Sequence, residues 1–435
     1  MRRSKAGFFS LLFWLAILPL AAAQGQSFTV LHAFTGQQDG SAPAASLTLD
    51  AGGNLYGTTY SGGNNTLFTC HFTGCGIVFK MSRRNSAWIL TPLNTFNVTG
   101  GLGPEGPVIF GPGGLLYGST TEGGSDNCNN LGMPGCGVVY SLQPGASACQ
   151  TALCSWTENV IHQFSNLQTD GFYPAGNLVF DRAGNLYGTT AYGGEGACDP
   201  IGCGTVFQLT RSGSGWTKTT IADYNFENGD PSYLVSGVII DRTGNLYGTS
   251  NSGGTNNGGQ GTVFELTHSG SGWTTTILHN FSINGDGFGP VGGLVMDNAG
   301  NLYGTTPNGG TAGAGVVFEL SPSNGGWNYS ILANLVGPAG SGPAGSLAID
   351  AAGNLYGTTF SGGASQCGSV FKLSPSGGQW SFTDLHDFTC GNDGGFPEAG
   401  VTLDGNGNLF GTTSDDGPNS DCNGHGCGVV WEITP

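Results

Sequence analysis

One feature limits what this chain can become: a short marker that returns seven times. It reads Asn54-Leu55-Tyr56-Gly57, Leu115-Leu116-Tyr117-Gly118, Asn185-Leu186-Tyr187-Gly188, Asn245-Leu246-Tyr247-Gly248, Asn301-Leu302-Tyr303-Gly304, Asn354-Leu355-Tyr356-Gly357 and Asn408-Leu409-Phe410-Gly411. Successive aromatic positions are 61, 70, 60, 56, 53 and 54 residues apart. Periods of this size mark propellers and other arrays. Each unit carries four short runs rich in Val, Ile, Leu, Thr and aromatics, bounded by Gly, Pro, Asn and Asp, as strands and turns require. No helical period of useful length interrupts them. The prediction is an all-β chain: a seven-bladed β-propeller of four-stranded antiparallel blades, one domain over residues 24–435. A solenoid fits less well, because its coils are usually about 20–30 residues long and its ends need capping units.

Composition then separates order from disorder. With 82 Gly and 20 Pro among 435 residues the chain approaches low-complexity composition, but the strict repeat and 11% aromatic content supply a core. The termini point to a closed ring. The mature chain opens on Phe28-TVLHAF-Phe34, a fourth run without its first three, and ends on Gly428-VVWEI-Ile433, a third run without its fourth. The expectation is that residues 28–34 complete the blade made by residues 400–433, removing an open sheet edge.

Residues 1–23 read as a signal peptide: Arg2, Arg3 and Lys5, an apolar stretch from Phe8 to Leu20, and Ala21-Ala22-Ala23 before Gln24. That apolar core is short of the roughly 20 residues a spanning helix needs. The product is expected to be secreted or at the bacterial cell surface, a monomer without a membrane span after cleavage. The net charge is −17, and Lys and Arg number 11 and are scattered, so a nucleic-acid partner is excluded. The twelve cysteines agree with export. Five pairs lie close in sequence: Cys70 with Cys75, Cys128 with Cys136, Cys149 with Cys154, Cys198 with Cys203 and Cys422 with Cys427. Each stands alone in its unit, which favours disulfides over zinc knuckles. A hairpin between the two leftovers predicts a bridge from Cys367 to Cys390.

Alternate connections of an antiparallel blade emerge on the same face. The D-x-x-G-N turn and the Ser/Gly turn before Trp share one face. The Gly-Gly-Cys loop and the Asp-Gly-x-x-Pro connection share the other, which varies in length and is the candidate binding face. On it, Asp39, Asp170, Asp286 and Asp393 are the tentative ligand-binding residues, one carboxylate per unit. No D-x-D-x-D-G loop accompanies them, so calcium is a minor possibility and no cofactor is expected. The turn aspartates Asp50, Asp181, Asp241, Asp297, Asp350 and Asp404 are expected to bond their own backbone, with Gly111 replacing Asp in the second unit. His32, His162, His279 and His386 recur at one strand position and read as structural. So do Trp88, Trp156, Trp216, Trp273, Trp327 and Trp380.

The unit G-N-L-Y-G-T-T-x-x-G-G followed by G-x-V-F-x-L resembles the bacterial GloVer-type (choice-of-anchor) tandem-repeat family over residues 28–433. That resemblance implies an exported, repeat-built protein and carries over no catalytic residue. The D-x-x-G-N-L-Y turn is also similar, more weakly, to that of NHL-type propellers. The expected function is an extracellular binding or structural module for a glycan or protein, and the reading leans against an enzyme. The alternative is a secreted carbohydrate-active enzyme, hydrolase or lyase, working on the variable face. A quinone-cofactor dehydrogenase ranks last, since few basic residues remain for cofactor carboxylates. An enzyme calls for nonrepeated acids gathered in one sector; Glu105, Glu122, Glu195 and Glu398 are the ones to test.

Overall fold

The computed structural model describes residues 26–435 except 64–69, 71–73, 126–127, 129–133, 146–155, 166–168, 197, 199–200, 214, 257, 271, 420–421 and 423–425. Residues 1–23, read above as a signal peptide, lie outside the described residues. The chain forms seven four-stranded antiparallel sheets, plus a two-stranded ribbon joining Pro231–Ser232 to Ser252–Gly253. It is a seven-bladed β-propeller. The first blade runs outward through Thr48–Leu49, Leu55–Thr59, Ile77–Arg84 and Ala87–Thr95, and the others repeat it. No helix among the described residues is long and apolar enough to cross a membrane.

The repeated marker is legible as packing. In the strand Leu55–Thr59 every residue is buried. Gly57 lies opposite Phe79 of the next strand, and a Cβ there would meet the Phe79 ring at 2.5 Å. The same contact recurs in every blade, with Tyr140 and Trp431 replacing Phe in the second and seventh. Only glycine leaves room for the ring. The turn aspartates do what the sequence indicates: Asp50 Oδ1 accepts from the N–H of Gly52 and Asn54, and its Oδ2 accepts from Asn54 Nδ2. Tyr56 adds its hydroxyl at 3.0 Å, tying the turn to the strand that leaves it. In the second blade the Tyr117 ring fills that space, and a Cβ on Gly111 would lie 2.4 Å from it.

Two layers of rings join blade to blade. Near the turn face each repeat Trp meets the marker aromatic of the preceding blade, as in Tyr56–Trp156, Tyr187–Trp273 and Trp88–Phe410. The recurring Trp is therefore interblade packing. Nearer the loop face, the aromatic that follows an outer strand meets the third-strand aromatic of the next blade: Phe34–Phe79, Phe96–Tyr140, Phe164–Phe207 and Phe281–Phe318. A bulge at the same place in every outer strand, at Leu93 in the first blade and Leu31 in the last, shifts the register and re-aims the residues beyond it.

The ring closes as expected. Ser27–Ala33 pairs with Val429–Thr434 as the outer strand of the seventh blade, register Phe28↔Ile433 and Val30↔Trp431. Disulfides join Cys70 to Cys75, Cys128 to Cys136, Cys198 to Cys203, Cys422 to Cys427 and, as the hairpin argument requires, Cys367 to Cys390. The remaining expected bridge differs from these five. Both of its partners, Cys149 and Cys154, fall in the 146–155 segment outside the described residues, so that pairing stays an expectation from sequence.

Candidate functional site

The four Asp-Gly-x-x-Pro aspartates do not converge. Each faces the histidine of its own unit: His32–Asp39 at 3.0 Å, and His162–Asp170, His279–Asp286 and His386–Asp393 at 3.1 Å. The bulge brings the histidine to this position. Each carboxylate also accepts the backbone N–H of the residue starting the connection, as Thr35 N–H does to Asp39 and Ser165 N–H to Asp170. Burial pushes Asp39 up, but the hydrogen bonds from His32 and Thr35 outweigh it, so its pKa is lowered. Asp170 is held at about 2: burial raises it, while His162 and the buried Lys218, 3.0 Å away, pull it down further. At the joint of the first two blades Asn94 and Gly100 stand in for this pair. There the carboxylate comes from Glu158 of the next blade, accepting from Asn94 Nδ2 at 2.7 Å. These groups fasten the connections. Among the described residues no cluster of three or more His, Cys, Asp or Glu is placed to share a metal ion.

A different set converges. The connection reaches the channel through a residue at positive φ just before the Pro position: Ala42, Gly103, Tyr173, Tyr233, Gly289, Gly342 and Phe396. Its N–H bonds a carbonyl of the preceding blade's loop, as Tyr173 does with Cys136 and Phe396 with Cys367. The residue just after that Pro position then faces the channel mouth in every blade: Ala44, Glu105, Ala175, Val235, Val291, Ala344 and Glu398. Five are small or apolar. The two acids belong to the second and seventh blades and flank the first, so they fall in one sector. They line a cavity of about 830 Å³ on the variable face, with Tyr60 and Phe360 as aromatic walls and Asp415 and Ser414 beside Glu398. Below it the channel narrows to about 100 Å³. Backbones close in there: a Cβ on Gly176 would sit 2.0 Å from the Gly237 nitrogen.

The electrostatics of the mouth are unusual. Glu105 is half-buried and Glu398 is exposed to the cavity. Burial pushes Glu105 up to about 7; the Tyr173 hydroxyl, donating to Oε1 at 3.0 Å, opposes that, and the charges of Glu398 and Glu122 add to it. Glu398 is raised by burial and by Asp415. Tyr60 is pushed up to about 12 by burial and by Glu122 and Glu105. Tyr173, Tyr192 and Tyr233 extend as adjacent rings from this point, 5.7 and 5.3 Å between centroids. Glu195 stands apart, its N–H bonded to Asp223 on the loop of the third blade. A groove of about 470 Å³ on the opposite face is a gap between two turns, edged by the exposed Arg182 and Arg242. The aspartates beside it are occupied by their own turns.

Fold and site together define a seven-bladed propeller with an acid- and aromatic-lined bowl at one end of its channel. The chain belongs to the Gloeobacter/Verrucomicrobia repeat family, whose model matches residues 72–271 and 235–435. Comparison with curated protein sequences finds no match. Among solved structures it is similar to a protein of Thermus thermophilus described as a candidate oxidoreductase (glucose dehydrogenase): 16% identity, TM-score 0.43, covering 94% of this chain and 100% of that one. A candidate 6-phosphogluconolactonase from Bacteroides uniformis gives 13% identity, TM-score 0.49, 82% and 95%. A protein of unknown function from Dyadobacter fermentans gives 10% identity, TM-score 0.46, 94% and 98%. Such low identities bear on the fold alone.

The leaning against an enzyme is corrected here. The acids that look scattered in sequence are gathered: Glu105, Glu398 and Asp415 line one mouth, and the charge of Glu122 reaches Glu105 from beside it. The signal was present in the repeat, as two Glu at a position that otherwise holds Ala or Val. It becomes visible only when the units are aligned on their Pro.

Proposed function

We propose that this protein is a secreted carbohydrate-active hydrolase working at the channel mouth on the variable face. The observation that carries the reading is Glu105: a carboxyl enclosed by protein, held near neutrality and steadied by Tyr173, on the wall of an open cavity. A general acid works best when its pKa lies near the operating pH. Glu105 would protonate the departing glycosidic oxygen. Glu398, across the same cavity, would act as the second carboxylate that hydrolysis of a glycoside requires. Tyr60 and Phe360 offer rigid faces on which a sugar ring can stack. A lyase acting on uronates is disfavoured, because no Lys or Arg lines the cavity to neutralise the substrate carboxylate. Export is supported by the signal-like N-terminus and the disulfides.

The test is incubation of residues 24–435 with a panel of oligosaccharides and polysaccharides, with chromatographic detection of products. Cleavage by the parent chain is expected to fall about a hundredfold or more in Glu105→Gln and in Glu398→Gln. Equal turnover by the parent and both variants would refute the assignment.

A further inference from the structure

The cavity carries charge of one sign only. Of the eleven Lys and Arg in the sequence, three lie in the first five residues, and the other eight are all in described positions. None lines the bowl. Lys80, Arg83, Arg211 and Lys372 lie over the rings of Tyr56, Trp88, Trp216 and Tyr356. Lys218 is bound to Asp170, Arg242 to Asn298, and Arg84 and Arg182 are exposed on the turn face. At the mouth, Glu105 uses one carboxyl oxygen on Tyr173. Its other oxygen, and both oxygens of Glu398, have no hydrogen-bond partner among the described residues, and both side chains face the cavity. A carboxylate set among other acids without a counter-charge is disfavoured, and a ligand that brings one relieves that repulsion.

The walls narrow the choice of cation. Tyr60 and Phe360 line the cavity, and Phe396 packs behind Phe360 at 5.3 Å between centroids. Two aromatic walls suit an organic ligand with flat faces better than a bare metal ion. Aromatic faces also attract ammonium groups.

We propose that the bowl selects saccharides bearing free amino groups, of the glucosamine type, placing the ammonium against the Glu398 carboxylate and the sugar face on Tyr60 or Phe360. This rests on the carbohydrate reading above and names its substrate class. An N-acetylated sugar presents no charge to the acids, and a uronate meets them with repulsion.

The test is calorimetric titration of residues 24–435 at pH 6 with three probes of equal length: a glucosamine tetramer, its N-acetylated counterpart and a galacturonate tetramer. The glucosamine tetramer is expected to bind about tenfold or more tighter than the N-acetylated one, to weaken as salt rises, and to lose that preference in Glu398→Gln. The galacturonate is expected not to bind. Equal or tighter binding of either other probe overturns the proposal, and so does no binding of the amine. Selective binding without cleavage leaves this inference standing and removes the hydrolase. Cleavage of a neutral saccharide through Glu105, with no advantage for the amine, does the reverse.

Discussion

Removing the closing strand should abolish the ring. Phe34 is fully buried between the first and seventh blades, among Leu47, Leu55, Phe79, Phe410 and Val430. Leu31 is partly buried against that core, and Phe28, Val30 and Ala33 against the one between the sixth and seventh blades. One fully buried Phe at about 2–3 kcal/mol and four partly buried side chains at about 1 kcal/mol each give roughly 6–7 kcal/mol. That is comparable to the whole net stability of a typical domain, about 5–15 kcal/mol. The loss is compounded, because Trp431 and Ile433 become exposed and the strand Val429–Thr434 becomes an open edge. A chain beginning at residue 37 should therefore show no cooperative melting transition and should aggregate. A peptide of residues 26–36 added in trans should restore the transition by strand addition. Phe34→Ala offers a graded version, at about 3–5 kcal/mol. With an unfolding entropy near 2.1 cal/mol/K per residue over roughly 400 residues, that predicts a fall in Tm of about 4–6 °C. Circular dichroism during heating reads all three. A truncated chain that melts cooperatively at the parent temperature would refute the closure argument.

Other predictions follow from single positions. Glu105 has its folded pKa raised from 4.5 to about 7, so the stability its neutral form confers is full below pH 4.5 and lost as pH rises to 7. Glu105→Gln should therefore leave Tm unchanged at pH 4 and raise stability at pH 8 by about 2 kcal/mol, allowing for partial access of water; equal effects at the two pH values would contradict it. Tyr173→Phe removes a hydrogen bond to the ionised carboxyl, so the Glu105 pKa and the alkaline limb of any activity profile should move upward; a downward move counts against the pairing. Gly111→Asp brings the second unit into line with the other six, yet it should cost about 1–3 kcal/mol, because the new Cβ meets the Tyr117 and Phe180 rings; a denaturant melt shifted upward would disprove this. Ala42 sits at φ 53°, so Ala42→Gly should stabilise by about 0.5–1 kcal/mol, and an unchanged or lower Tm would show no strain there.

Much of this protein was settled by local chemistry that a sequence displays. The turn Asp followed by Gly-Asn closes on its own backbone whatever surrounds it, and the short runs Leu55–Thr59 and Ile77–Arg84, rich in apolar and β-branched residues, form the buried strands their composition indicates. Repetition of these local solutions at a fixed period leaves few ways to bury the apolar faces, and a closed ring is one of them. Even the bridge from Cys367 to Cys390 follows from the hairpin that lies between them. What tertiary structure alone decided was convergence. His32 and Asp39 are seven residues apart and look independent until the bulge at Leu31 turns one toward the other. Glu105 and Glu398, nearly three hundred positions apart in the chain, share a mouth because rotation about the propeller axis brings the ends of the chain together, which no property of either residue's neighbours encodes. The pKa of Glu105 likewise arises from burial and from charges on other blades, quantities that exist only once the ring has closed.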